Sequence, residues 1–126
     1  MKKLIIITVI LISSLQTIVG QEKNELDLIT SGKWYLDYMK NPSQEKTFPN
    51  EQKENNWMIF HPDGKHEVKS FGVLIFGKWE YSKDEKTIKM INNGMVSTNK
   101  IIKLNDTEMT LEIKQGDIEI MMRFKK

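Results

Sequence analysis

The stretch KTIKMINNGMVSTNKIIKLNDTEMTLEIKQGDIEIMMRFK, Lys86–Lys125, decides the fold. Its apolar residues recur with a period close to two: Ile88 and Met90, Ile102 and Leu104, Met109, Leu111 and Ile113, then Ile118, Ile120, Met122 and Phe124. Polar residues take the other phase. Successive side chains on a strand point to opposite faces, so the pattern describes strands with one buried face. The connectors NNG, NDT and QGD consist of residues that accept or stabilise tight turns. Four strands follow: KTIKMI, MVSTNKIIKL, EMTLEIK and DIEIMMRFK.

Reading back from Lys86 gives VLIFGKWEYS, KHEVKS and NWMIFH, joined by SKDE and PDG, and before them KWYLDYMK. In KWYLDYMK, Trp34, Leu36 and Tyr38 alternate with Tyr35, Asp37 and Met39. The polar run Asn41–Asn56, with Pro42 and Pro49, has no periodicity and is a long loop. Ahead of the first strand, EKNELDLITSG fits one or two helical turns ended by Gly32. Eight consecutive strands with short turns form a meander, and a meander hides its edges most simply by closing. The expected fold is therefore all-β: an eight-stranded antiparallel up-and-down barrel with a short N-terminal helix. A two-sheet sandwich is the competing arrangement. The absence of strand–helix–strand spacing argues against a parallel α/β sheet.

The chain has 126 residues, enough for one domain. Residues 1–20 read as a signal peptide: Lys2 and Lys3, an apolar run from Leu4 to Ile12 broken only by Thr8, a more polar stretch, then Gly20. A spanning helix needs about 20 mainly apolar residues, and this run is shorter; a retained anchor is the other reading. IVGQ, Ile18–Gln21, resembles a lipoprotein processing box with Gln21 at the cysteine position, but the chain has no cysteine to lipidate. The expected mature domain is 21–126, periplasmic or secreted, not lipid-anchored and not membrane-inserted after cleavage. Taking Lys2 and Lys3 from 19 basic residues leaves 17, equal to the 17 acidic ones. That balance gives no basic excess for nucleic acid. With no thiol, stability rests on packing and backbone hydrogen bonds.

GKW occurs twice, at Gly32–Trp34 and Gly77–Trp79, but the flanks YLDYMK and EYSKDEK do not match, so this is not a repeat. The order of ITSGKW, Phe60-x-x-Asp63-Gly64, Gly77-x-Trp79-x-Tyr81-Ser82-x-Asp84, KTIKM and IIKLNDTEMTLEI resembles small bacterial lipocalin-like domains of exported proteins, across nearly all of residues 25–125. The resemblance implies a calycin-type barrel whose interior accommodates a small apolar ligand. It also implies that Trp34, following Gly32, plugs the closed end, and that a basic side chain near the last strand packs on it. Arg123, the only arginine, is the candidate; its alternation with Met122 and Phe124 would instead turn it outward. The long loop would cover or flank the mouth, with Phe48 as its apolar latch, or remain solvated.

FHPDGKHE, Phe60–Glu67, holds both histidines. A type I turn over Pro62 and Asp63 with a left-handed Gly64 pairs His61 with Lys65 and Phe60 with His66. Cross-strand partners share a face, so His61 points out and His66 in. A four-residue loop would instead put both histidines opposite each other. The expected reading is no metal site, no cofactor and no catalytic group, because there is no nucleophile elbow or phosphate loop.

The expected inner wall is Trp34, Leu36, Tyr38, Met58, Phe60, His66, Val68, Ile75, Trp79, Tyr81, Ile88, Met90, Ile102, Leu111, Ile113, Ile120 and Met122. Of these, Tyr38, Met58, Phe60, His66, Trp79, Tyr81, Met90 and Met122 are the candidate ligand-binding residues: adaptable thioethers, and aromatic rings with polar tips. The open end is expected between the long loop and the HPDGKH hairpin. The leading expectation is an exported, non-enzymatic barrel that binds a small hydrophobic or amphipathic molecule. A solid barrel acting as an inhibitor, immunity or assembly factor is the alternative, with its protein partner unspecified. An enzyme is the third.

Overall fold

The computed structural model describes residues 24–126, so the expected signal segment, 1–20, lies outside the described residues. The elements are α1 (Glu25–Ile29), β1 (Lys33–Lys40), β2 (Glu45–Thr47), a 3-10 helix (Asn50–Asn55), β3 (Trp57–Phe60), β4 (Lys65–Ser70), β5 (Val73–Ser82), β6 (Thr87–Asn92), β7 (Met95–Leu104), β8 (Glu108–Gln115) and β9 (Ile118–Lys125). From β3 onward each strand pairs antiparallel with the next, and β9 returns to β1. β1 and β3–β9 thus close an eight-stranded up-and-down barrel, as the alternation predicts. β2 is a short extra strand on β1.

β1 pairs with β3 only over Lys33–Tyr35 and with β2 over Tyr38–Lys40. The long loop therefore folds into the wall, filling the gap left beside the four-residue β3. The Phe48 N–H donates to the Asp37 carbonyl at 2.9 Å, and the Gly72 N–H to the Asn55 carbonyl at 3.1 Å. Phe48 is buried beneath Lys46, whose Nζ lies 5.1 Å from its ring and 5.4 Å from that of Phe71.

One end of the barrel is plugged. The Asn24 side chain caps α1 by accepting the Asp27 N–H at 2.8 Å. The Trp34 indole N–H donates to the Ile29 carbonyl at 3.1 Å, tying the helix to β1, and both side chains are fully buried. Lys33 lies opposite Ile59, so the β3–β4 turn belongs to this same closed end. The expected framing of the mouth by the HPDGKH hairpin is therefore wrong. The open end carries the β4–β5, β6–β7 and β8–β9 turns.

Two β-bulges correct the inward set. Between Leu36 and Tyr38 the β1–β9 register slips, so Tyr38 partners Arg123 and Met39 partners Met122. Phase alone would make Tyr38 inward; the extra residue turns it outward, where the Arg123 guanidinium lies 5.1 Å from its ring. A second slip between Ile101 and Lys103 puts Ile101 inward opposite Leu111 and leaves Ile102 outside, 48% exposed.

Candidate functional site

The inner wall changes character from end to end. At the closed end Trp34, Phe60, Ile88, Met109, Leu111 and Phe124 are fully buried. Toward the open end the inward-facing Met39, Val68, Ile75, Ile113, Ile120 and Met122 are only partly covered. Inward side chains of a closed barrel reach solvent only through its mouth. The inner wall is therefore packed at the closed end and, toward the open end, mostly apolar and partly exposed.

Polar side chains interrupt that wall. The β3–β4 loop has three residues, with the His61 N–H donating to the Lys65 carbonyl at 2.9 Å and Gly64 at φ +93°. Phe60 then pairs with His66, and their rings stack at 4.7 Å. His66 is 1% exposed, and neither ring nitrogen makes a hydrogen bond among the described residues. Burial lowers its pKa to about 4, with the nearby His61 acting in the same direction and Glu67 against it. Its imidazole is neutral at physiological pH, with one donor and one acceptor unused.

His66 lies opposite Gly77, and the next position round the same row is Asn92. A Cβ on Gly77 would fall 1.7 Å from Asn92 Oδ1, so the missing side chain is what lets Asn92 lie across β5. Asn92 Oδ1 is buried and unbonded. In the adjoining rows Ser97 partners Met90 and Asn99 partners Ile88. The Asn99 amide donates to the Ile88 carbonyl at 3.1 Å, while its Oδ1 has no partner. Sequence reading missed Asn92 and Asn99. Asn92 is in phase with Ile88 and Met90 and was legible; Asn99 was hidden by reading Ile102 as inward.

The remaining candidates divide. Met58, Trp79, Met90 and Met122 face in. The Trp79 indole N–H donates to the His61 carbonyl at 2.8 Å, and its ring meets Phe60 edge-on at 5.3 Å, so Trp79 belongs to the packed floor. Tyr81 lies toward α1, where burial and the Glu25 carboxylate raise the pKa of its hydroxyl. Tyr38 is outside the barrel.

Arg123 also leaves the expected barrel-end site. It points outward and donates through Nε to Asp37 Oδ2 at 2.8 Å. The cation over Trp34 is Lys126, with Nζ 4.3 Å from the ring. Gly32 makes room for it, since a Cβ there would lie 3.2 Å from that Nζ. A basic side chain does pack on the plug, but it follows the last strand rather than lying in it.

His61 faces out and shares a proton-bridged contact of 2.5 Å with Glu67 on the outer wall. This pair edges an open cleft of about 390 Å³ lined also by Lys65, Phe76 and Gly77. Among the described residues no three His, Asp, Glu or Cys side chains converge as metal ligands.

No protein-family model and no curated protein matches the chain. Among solved structures it is similar to a DUF4847 family protein from Bacteroides vulgatus, with TM-score 0.57 and 11% identity over 79% of this chain and 94% of that one. A deswapped triple mutant of bovine odorant binding protein aligns over 75% of this chain and 72% of its own length, with TM-score 0.48 and 18% identity. The first likeness and the closed meander with its helix-and-tryptophan plug make the fold lipocalin-like.

Proposed function

We propose that this chain is an exported, non-enzymatic lipocalin-like protein that holds one small amphipathic molecule in a cup at the open end of its barrel. The carrying observation is the combination of a partly exposed apolar upper wall with unbonded polar atoms, Asn92 Oδ1 and the His66 nitrogens, on the same inner face. Leaving a buried polar atom unpaired costs about 1–3 kcal/mol, so a ligand whose polar group reaches Asn92 and His66 gains more than an apolar ligand of equal size. Its apolar part would lie on Val68, Ile75, Met90 and Met122. Export rests on the reading of residues 1–20. The non-enzymatic reading rests on chemistry: the buried neutral His66 has no acid or base beside it on the inner wall, and the His61–Glu67 pair has no nucleophile at hand.

Native mass spectrometry of the protein recovered from the exported fraction tests this, together with methyl NMR during titration with a long-chain fatty acid and a long-chain alcohol. A bound small molecule, and shifts at Val68, Ile75, Ile113 and Ile120, are expected. Ile75→Trp should fill the cup, abolish binding and leave the barrel folded. Absence of any bound species, with unshifted methyls for both probes, would leave a solid barrel and sink the proposal.

A further inference from the structure

The open rim carries apolar side chains that the cup does not use. Phe71 is 68% exposed, Val73 62%, Leu74 45%, Phe76 66%, Met95 77% and Val96 60%. Five of the six belong to two neighbouring hairpin tips, β4–β5 and β6–β7, and Phe76 lies on β5 beside them, opposite Glu67. Such a cluster on one edge of a small domain marks a contact surface.

Its electrostatics identify the partner. From Val68 to Trp79 and from Lys86 to Leu104 the chain has six lysines and no carboxylate. Lys69 lies beside the β4–β5 tip and Lys46 stands 5.4 Å from the Phe71 ring, while Lys78, opposite Ile91, lies just below the β6–β7 tip and Lys89 faces Glu80 across the β5–β6 ladder. Lys46, Lys69 and Lys78 have no ion-pair partner among the described residues. Across the mouth the β8–β9 tip carries Asp117 and Glu119, the latter paired with Lys114 at 3.5 Å. The rim is therefore polarised: apolar and basic on one side, acidic on the other.

Backbone strain gives a third observation. Both tips are two-residue turns with left-handed residues. In β6–β7 these are Asn93 at φ +51° and Gly94 at +77°, the residues such a turn favours. In β4–β5 they are Phe71 at φ +48° and Gly72 at +83°. A bulky side chain in that conformation is a genuine outlier, and strain of this kind concentrates at functional sites. The structure holds an aromatic ring at the tip of a turn where asparagine would be easier.

We infer that the β4–β5 and β6–β7 tips dock on the surface of an anionic lipid bilayer, with Phe71, Phe76 and Met95 entering the interface and Lys46, Lys69 and Lys78 facing the headgroups. Apolar tips supply the insertion and unpaired lysines the attraction to negative lipid. The acidic β8–β9 tip would stay away, so the barrel would sit tilted with one side of its mouth against the membrane. This is peripheral contact, independent of whether the cup holds a ligand.

Hydrogen exchange of the full chain, with and without vesicles, tests this locally, so residues 1–20 do not enter the readout. Vesicles of equimolar phosphatidylglycerol and phosphatidylcholine should protect peptides spanning 69–76 and 92–97 and leave 114–119 unchanged. Raised salt should weaken the protection. Phe71→Ser with Phe76→Ser should lower the local protection roughly tenfold, as loss of two apolar anchors predicts, and Phe71→Asn should lower it without harming the fold. Equal protection by phosphatidylcholine alone would overturn the anionic assignment. Protection at 114–119, or none at either tip, would overturn the docking surface. Protection of the same peptides without vesicles, rising with protein concentration, would assign the patch to a second copy of the chain and overturn the proposal.

Discussion

Acidification should destabilise this barrel through one residue, His66. In the fold its pKa is about 4, lowered mainly by burial; in the unfolded chain it should return to about 6.5. Between these values the unfolded state binds a proton that the folded state refuses, so stability falls as pH drops through that window. Above about pH 6.5 both states are neutral and His66 contributes no pH dependence. From pH 7.5 to 4.5 the loss works out at about 2–3 kcal/mol, a large share of a small domain's total stability. His66 is 1% exposed, so solvent does little to relieve the charged form. Other groups of the chain also change protonation across this range, so the wild-type curve alone does not isolate the effect.

His66→Phe isolates it. The ring keeps its stack on Phe60 and its place opposite the bare Cα of Gly77, while both unbonded nitrogens disappear. Replacing an unsatisfied polar group by an apolar one of similar shape is neutral or stabilising. Urea unfolding from pH 7.5 to 4.5 should show the wild type losing about 2–3 kcal/mol more than the variant. Parallel curves, agreeing within about 0.5 kcal/mol, would refute the reasoning: His66 would then be able to take a proton inside the fold, which a dry, partnerless site forbids.

Three further expectations concern packing. Gly77→Ala should destabilise by about 1–3 kcal/mol in urea unfolding, and Asn92→Gly should restore only part, because the Ile91 carbonyl oxygen also lies 2.4 Å from the new Cβ. Lys126→Ala should cost about 0.5–1 kcal/mol and shift Trp34 fluorescence, whereas Arg123→Ala should leave that emission unchanged; the reverse would return Arg123 to the plug. Phe71→Asn should raise stability by about 1 kcal/mol through relief of the left-handed phenylalanine, and a lower unfolding midpoint would show that the exposed ring contributes to packing instead.

Period-two patterning made the barrel legible because one buried face imposes it on every strand. β1, β4, β5 and β7 begin and end where the alternation predicts. The turn Pro62-Asp63-Gly64 also fixed the faces of His61 and His66 correctly, since loop length sets hairpin register. Patterning failed where a strand takes one extra residue. Nothing in YLDYM announces the bulge that turns Tyr38 outward, because its alternation is equally good in either phase. IIKL hides its bulge for a related reason: adjacent isoleucines allow either to be the inward one. The Arg123 expectation failed because the choice between strand residue and terminal lysine depends on the angle at which the chain leaves β9, which no local pattern encodes. β2 and the 3-10 helix lie in a polar stretch whose order comes from partners far along the chain, Asp37 and Gly72.

Several features that oppose stability run along β4–β6. The closed end has a capped helix, two tethered indoles and a buried aromatic floor, although Lys86 is left-handed there and Thr87 Oγ1 is buried without a partner among the described residues. His66, next to that floor, and Asn92, near the rim, are also unbonded, and with them come a close-packed Gly77, a left-handed Phe71 and an exposed apolar rim. A sequence selected only to fold would have an apolar residue at 66 and asparagine at 71, since both changes cost the barrel little. These departures extend along β4–β6 from the Phe60–His66 row up to the basic side of the mouth. One physical account covers that arrangement: an amphipathic ligand that passes between membrane and cup would enter by the lipid-facing rim and meet Asn92 and His66 on the same wall. If so, His66→Phe should weaken binding of a polar-headed ligand while leaving vesicle protection at 69–76 intact, and Phe71→Asn should do the opposite. Coupled loss of both in either variant would show that a single distorted hairpin, rather than two separate sites, underlies these features.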